Sequence, residues 1–231
     1  MTTTFFVALL TVLGGIPSAH SEEITFLGNS LTNHGPSPSI GWVGNWGMAA
    51  SAKELDYKYQ VVERLTRLKA RSYASNVTSA NQIERTLLEP GVDFLALVQN
   101  VQRDQDVIVV QVGDNIQVDA EKRTRFSSGY ASLIGTLVAR LKKDGVLVCI
   151  GRWWSDPEMD RVIKSECQRV GGSFVELTTI AHQPGAQARS ERPISNVGVA
   201  SHPGDRSMEQ IAERVVAAII NASPKAIDVM K

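Results

Sequence analysis

Hydrophobic and polar positions follow two alternating periods along this chain. Four short runs are nearly continuous in β-branched and apolar residues: Ile24–Leu27, Val107–Val112 (VIVVQV), Val146–Ile150 (VLVCI) and Ser173–Leu177 (SFVEL), each bounded by Gly, Asp or Asn. Runs of this kind suit strands buried on both faces, as parallel strands are when helices cover them. A weaker strand signal lies at Leu68–Ala74. Between the runs, apolar residues recur at helical spacing over Trp46–Arg67, Ser79–Leu88, Ser127–Lys143, Pro157–Val170 and Ser207–Ala222. Asp156-Pro157 supplies an N-cap and first-turn proline for the fourth helix. The alternation predicts an α/β fold with an open parallel sheet and helices on both faces. No repeat, low-complexity tract or linker divides the sequence, so residues 22–231 are expected to form one domain.

The first 21 residues stand apart from this pattern. Phe5 to Ile16 is a 12-residue apolar run, too short for a bilayer, which needs about 20 residues. Ala19-His20-Ser21 then places small residues at the two positions a signal peptidase reads. We expect residues 1–21 to be a removed signal peptide, although MTTT lacks Lys and Arg, and the mature chain to be periplasmic or secreted with no membrane span. Of the 231 residues, 24 are basic and 24 acidic, which gives no basic excess for nucleic acid or anionic membrane. Cys149 and Cys167 fit neither a zinc site nor a redox CxxC spacing. Pairing is open to them after export, but small buried hydrophobes are the preferred reading.

Ligands of open parallel sheets bind beyond the carboxyl ends of the strands. There the sequence places Gly28-Asn29-Ser30, Gly113-Asp114-Asn115, Gly151-Arg152-Trp153-Trp154 and, before the last helix, Ser201-His202-Pro203-Gly204. A serine, an asparagine and a histidine on one rim match the needs of acyl transfer. A serine hydroxyl requires a base to take its proton. An imidazole, with an ordinary pKa of about 6.5, suits that task. The oxyanion that follows needs fixed N–H donors. Ser30 is thus the candidate nucleophile, His202 the base, and Asn115 with the Ser30 N–H the oxyanion donors. His34 and His182 are other candidate bases. Separately, each of these residues is an ordinary turn or loop residue; only the combination points to chemistry. Neither GxGxxG nor GxxxxGK[ST] follows any strand, which disfavours a nucleotide or flavin protein.

The combination resembles the SGNH hydrolases. GNSLT (28–32) is similar to their GDSL motif, VGDN (112–115) to their Gly-x-Asn block, and SHPG (201–204) to their His-Pro block, in the family's order and approximate spacing. The segment IGWVGNWGMAASAKELDY looks like a subgroup with GNS in place of GDS. The resemblance implies a flavodoxin-like α/β/α three-layer sandwich of about five parallel strands in the order 2-1-3-4-5. It also implies Ser30 as nucleophile, His202 as base and Asn115 in the oxyanion hole, with neither metal nor organic cofactor.

Two positions depart from the family pattern. The Asp usually found three residues before the histidine is Val199 here, which leaves a main-chain carbonyl or Asn196 to orient the ring. The oxyanion glycine expected after the second strand is missing from Tyr73–Val77, where Ser75 or Asn76 is the substitute donor. The expected activity is hydrolysis of small acyl esters; the alternative is an impaired polysaccharide-binding descendant. Trp153 and Trp154 on the same rim are candidate sugar-stacking or acyl-pocket residues, and Arg152 is either a contact for an anionic substrate or a solvated charge. Trp42 and Trp46 are expected to pack the serine loop onto the sheet. With export, these tryptophans point towards O-acetyl groups on carbohydrate.

Overall fold

The computed structural model describes residues 21–117 and 119–222. Five parallel strands, β1 (Glu22–Gly28), β2 (Tyr73–Ser79), β3 (Gln105–Gln111), β4 (Leu141–Ile150) and β5 (Ser173–Val175), form one sheet in the order β2-β1-β3-β4-β5. The helices are α1 (Tyr57–Lys69), α2 (Asn81–Thr86), α3 (Phe94–Leu97), α4 (Ala120–Val138), α5 (Pro157–Arg169), α6 (Thr178–Ala181), α7 (Val197–Ala200) and α8 (Asp205–Ala222). The expected three-layer architecture and strand order are therefore present. The proposed leader lies almost wholly outside the described residues.

The two cores follow from the period-2 alternation within each strand. Ile24 and Phe26 of β1, Val107 and Val109 of β3, and Val146 and Val148 of β4 face α1 and α8. Leu27, Ile108, Val110, Leu147 and Cys149 face the opposite layer, built from α2 to α5. Continuous apolar sequence was needed in β1, β3 and β4 because each of these strands feeds both cores.

That geometry corrects the reading of the cysteines. Cys149 points from β4 into the second core, and Cys167 follows Ile163 by four residues on the buried stripe of α5. Their Cα atoms lie 6.2 Å apart and the sulfurs form a disulfide. They are buried, as expected, but paired.

Several boundaries also move. The first long helix starts at Tyr57 rather than Trp46, because the buried Asp56 carboxylate accepts the Lys58 N–H (2.9 Å) as N-cap and the Gly47 N–H (2.7 Å) from the preceding loop. Leu68 belongs to the last turn of α1, so β2 begins at Tyr73 and carries Asn76 in mid-strand. α4 begins after the capping Asp119 and ends at Val138, and the residues beyond it enter β4.

Candidate active site

Ser30 lies two residues beyond the end of β1. Thr32 and Asn33 both donate their N–H groups to the Asn29 carbonyl (2.7 Å each), closing one helical turn around the serine. Such a turn cannot satisfy its own first N–H groups, so the Ser30 N–H is a donor at the rim. Two anchors hold the turn: Thr32 Oγ1 bonds the hydroxyl of the buried Tyr57 (2.9 Å), and Met48 N–H donates to the Ser30 carbonyl (2.7 Å). Gly28 must lack a side chain, since a Cβ there would sit 2.1 Å from Thr32 Oγ1.

His202 comes to this serine from 172 residues away. Its Nε2 is 2.9 Å from Ser30 Oγ, and its Nδ1 is 2.8 Å from the Gly198 carbonyl oxygen. A carbonyl can only accept, so Nδ1 carries the hydrogen and the neutral ring offers Nε2 to the serine hydroxyl. Of the two groups expected to orient the ring, a main-chain carbonyl or Asn196, the carbonyl makes the contact. Val199 turns its side chain into a small apolar cluster with Trp42, Met48, Ala49 and Ala188. Asn196 contributes indirectly: its side chain accepts the Val199 N–H (3.0 Å) and caps α7, the short helix that presents the Gly198 carbonyl.

Burial of the imidazole pushes its pKa down to about 4; the bond to Gly198 opposes this, and nearby His34 adds to it. The Trp154 ring stands edge-on to the imidazole, with centroids 4.9 Å apart. Trp153 is buried, and its indole N–H donates to the Ser201 carbonyl (2.9 Å), next to the histidine. Both tryptophan amides donate to Asp114, whose carboxyl is pushed up to about 7 chiefly by burial. Arg152 also faces this carboxyl, with Nε at 3.8 Å, and is buried rather than presented to solvent.

A cleft of about 900 Å³ opens over the serine. Ser30, His34, Asn115 and His202 line it together with Asn33, Ser37, Ser79, Asn81, Asn196 and the apolar Ile40, Met48 and Val199. Trp153 and Trp154 do not. They border a separate depression of about 290 Å³ with His182, so their position beside the cleft is behind the histidine rather than facing a ligand over Ser30. Trp42 and Trp46 pack edge-on against each other; Trp46 also packs onto the sheet core, as expected, whereas Trp42 sits in the small cluster with Val199. Asn76 lies away from the site with its amide towards Glu23 (3.5 Å), and the rim end of β2 is Ser79.

Sequence reasoning missed Glu84 on α2. Its carboxylate is buried and accepts from the side-chain amides of Asn29 and Asn115 (2.8 Å for the latter) and from the Gly113 N–H. The available signal was helical spacing: Glu84 adjoins Ile83, which with Leu87 forms the buried stripe of this segment. Among the described residues no group of three His, Cys, Asp or Glu side chains is arranged to hold a metal ion.

The sequence matches no family model and no curated protein. Solved structures match over most of the chain. A GDSL-like lipase from Bacteroides uniformis superposes with a TM-score of 0.51 at 15% identity, covering 87% of this chain and 96% of its own. A carbohydrate esterase of family 3 from Talaromyces cellulolyticus gives 0.52 at 14%, covering 88% and 98%. A family two carbohydrate esterase from Clostridium thermocellum, in complex with cellohexaose, gives 0.53 at 21%, covering 89% of this chain and 65% of that one. The chain has the fold shared by GDSL-like lipases and carbohydrate esterases, and its likeness to the SGNH hydrolases holds at that level.

Proposed function

We propose that this protein is an exported serine esterase of the SGNH type that removes small acyl groups, in particular O-acetyl groups from carbohydrate. The observation that carries the reading is the 2.9 Å contact between Ser30 Oγ and His202 Nε2, in a ring whose tautomer a carbonyl sets. Ser30 Oγ attacks the ester carbonyl while its proton passes to His202 Nε2. The tetrahedral oxyanion is met by the Ser30 N–H and an Asn115 amide hydrogen. Collapse of this intermediate breaks the C–O bond, and the leaving alkoxide takes the proton from the imidazolium. Water then repeats the sequence on the acyl-serine and releases the carboxylic acid.

The absence of an Asp from this arrangement has a limited effect. In the Ser-His-Asp template, Asp→Asn lowers kcat by about 10⁴ because the ring adopts the wrong tautomer. The Gly198 carbonyl selects the right one, so the charge stabilisation of the imidazolium is what this site forgoes. The rival reading, a glycan-binding descendant without turnover, rests on that loss alone.

The lining of the cleft supports a sugar ester. Asn33, Ser37, Asn81 and Asn196 offer neutral donors and acceptors for hydroxyl groups, and Ile40, Met48 and Val199 offer an apolar wall for a short acyl chain. A further structural neighbour, a two-domain esterase active on acetylated mannans, shares this fold at 12% identity and a TM-score of 0.53, although the chain spans only 53% of it. Export is supported by the N-terminal apolar run and by a disulfide of the sort oxidising compartments sustain. The test is release of acetate from p-nitrophenyl acetate and from acetylated mannan. Wild type should hydrolyse both, and Ser30→Ala should lose at least about 10³-fold in kcat. Full activity in Ser30→Ala would exclude the assignment.

A further inference from the structure

We propose that Glu84 is a positioning residue for the oxyanion hole and that its carboxylate is the reason residue 29 is asparagine. This rests on the esterase reading for its catalytic meaning, but the clasp itself is a matter of geometry. Three donors from two loops reach one carboxylate: the β1 loop through Asn29 Nδ2, and the β3 loop through both the Gly113 N–H and Asn115 Nδ2. Glu84 comes from the helix that follows β2, so the ends of three neighbouring strands are tied at a single point.

The arrangement determines how each amide faces. An Asn side chain has an oxygen that only accepts and a nitrogen with two hydrogens. A carboxylate can meet only the nitrogen, so Glu84 fixes the flip of both asparagines. Asn115 gives one hydrogen to Glu84 Oε2 and retains the other on the side chain that lines the cleft beside Ser30. For Asn29 the same constraint has a visible consequence: Oδ1 is buried with no hydrogen-bond partner among the described residues. The opposite flip would set Oδ1 against the Glu84 carboxylate, acceptor against acceptor, so the unpartnered oxygen is the less costly arrangement. An aspartate in place of Asn29 would set two carboxylates against each other in a buried site, where like charges are disfavoured. Gly113 completes the fit. Its φ of +124° is open to glycine and strained for other residues, and it allows the main-chain N–H to turn to Glu84.

The experiment compares Glu84→Gln, Asn29→Asp and the double variant by kcat and KM on p-nitrophenyl acetate. It also follows the Gly113 amide and the Asn29 and Asn115 side-chain amides in ¹H–¹⁵N spectra. Removal of one oxyanion donor lowers kcat by about 10²–10³; Glu84→Gln leaves one acceptor oxygen and a competing NH2 group where three donors met a carboxylate, so kcat is expected to fall at least about 30-fold with KM within about threefold. The Gly113 amide should lose its carboxylate-bonded shift, which Ser30→Ala should preserve. In the double variant the introduced side-chain amide can donate to the introduced carboxylate while its oxygen keeps the Gly113 N–H, which relieves the carboxylate–carboxylate repulsion of Asn29→Asp. There kcat should recover at least about tenfold over Asn29→Asp. The two singles disturb the contact from opposite sides, so the test does not hinge on one of them folding. Glu84→Gln with wild-type kcat, unchanged amide signals, or a double variant no better than Asn29→Asp would each overturn the proposal. A wild-type protein without esterase activity whose amides still move in Glu84→Gln would instead overturn the esterase reading and leave the clasp standing.

Discussion

Lowering the pH separates this site from an ordinary histidine-dependent one. His202 must be neutral to accept the Ser30 proton, and burial holds its pKa at about 4. A base with a pKa of about 4 is roughly 90% neutral at pH 5, whereas one at the ordinary value of about 6.5 is only about 3% neutral. The acid limb of kcat/KM should therefore lie near pH 4, with activity at pH 5 within about 10–20% of its plateau rather than about thirtyfold below it. The assay is acetate release quantified by ¹H NMR, at subsaturating substrate, from about pH 3.5 to pH 8. A second perturbation tests the cause. Trp154 covers one side of the imidazole at 4.9 Å, so Trp154→Ala admits water and should move the limb upward towards 6.5, since burial is the largest contribution to the shift. A wild-type limb at 6 or above, or no movement in Trp154→Ala, would show that burial does not set the basicity of His202.

Two further predictions concern stability. Asp114 holds its proton to about pH 7 in the folded protein, against about 4 when unfolded. Its contribution is therefore fully present below pH 4 and lost as pH rises through about 7, and Asp114→Asn should flatten the fall in Tm over that window; an unchanged pH dependence would count against it. The disulfide joins residues 18 apart, so Cys149→Ala/Cys167→Ala should lose about 3 kcal/mol and lower Tm by about 6–12 °C. Calorimetry showing no change would mean the unfolded chain gains nothing from the link.

The sheet was legible because each strand that serves two cores must be apolar on both faces, and β1, β3 and β4 announce themselves in this way. β2 was misplaced, since an edge strand reading YASNVTS buries little and its signal is weak. Ser30, Asn115 and His202 could be placed on one rim from strand ends alone. Val199 in place of an Asp left a main-chain carbonyl or Asn196 to orient the ring, but which carbonyl could not be read, because a carbonyl leaves no trace in residue type and Gly198 was invisible. Tryptophans at a strand end read as a stacking surface, yet Trp153 serves as packing with its N–H on Ser201, and Trp154 buttresses the histidine. Glu84 was hidden for another reason. A glutamate on a short helix is ordinary, and only the folded arrangement shows three donors converging on it.

Ser30 should react as a nucleophile activated by a histidine that the main chain holds. The most direct test is exposure of the purified protein to a fluorophosphonate, with the adduct located by peptide mass spectrometry. A single phosphonylated residue is expected, Ser30, absent in Ser30→Ala and formed at least about 10³-fold more slowly in His202→Ala. No adduct on the folded wild-type protein, or labelling that persists at the same rate without His202, would contradict it.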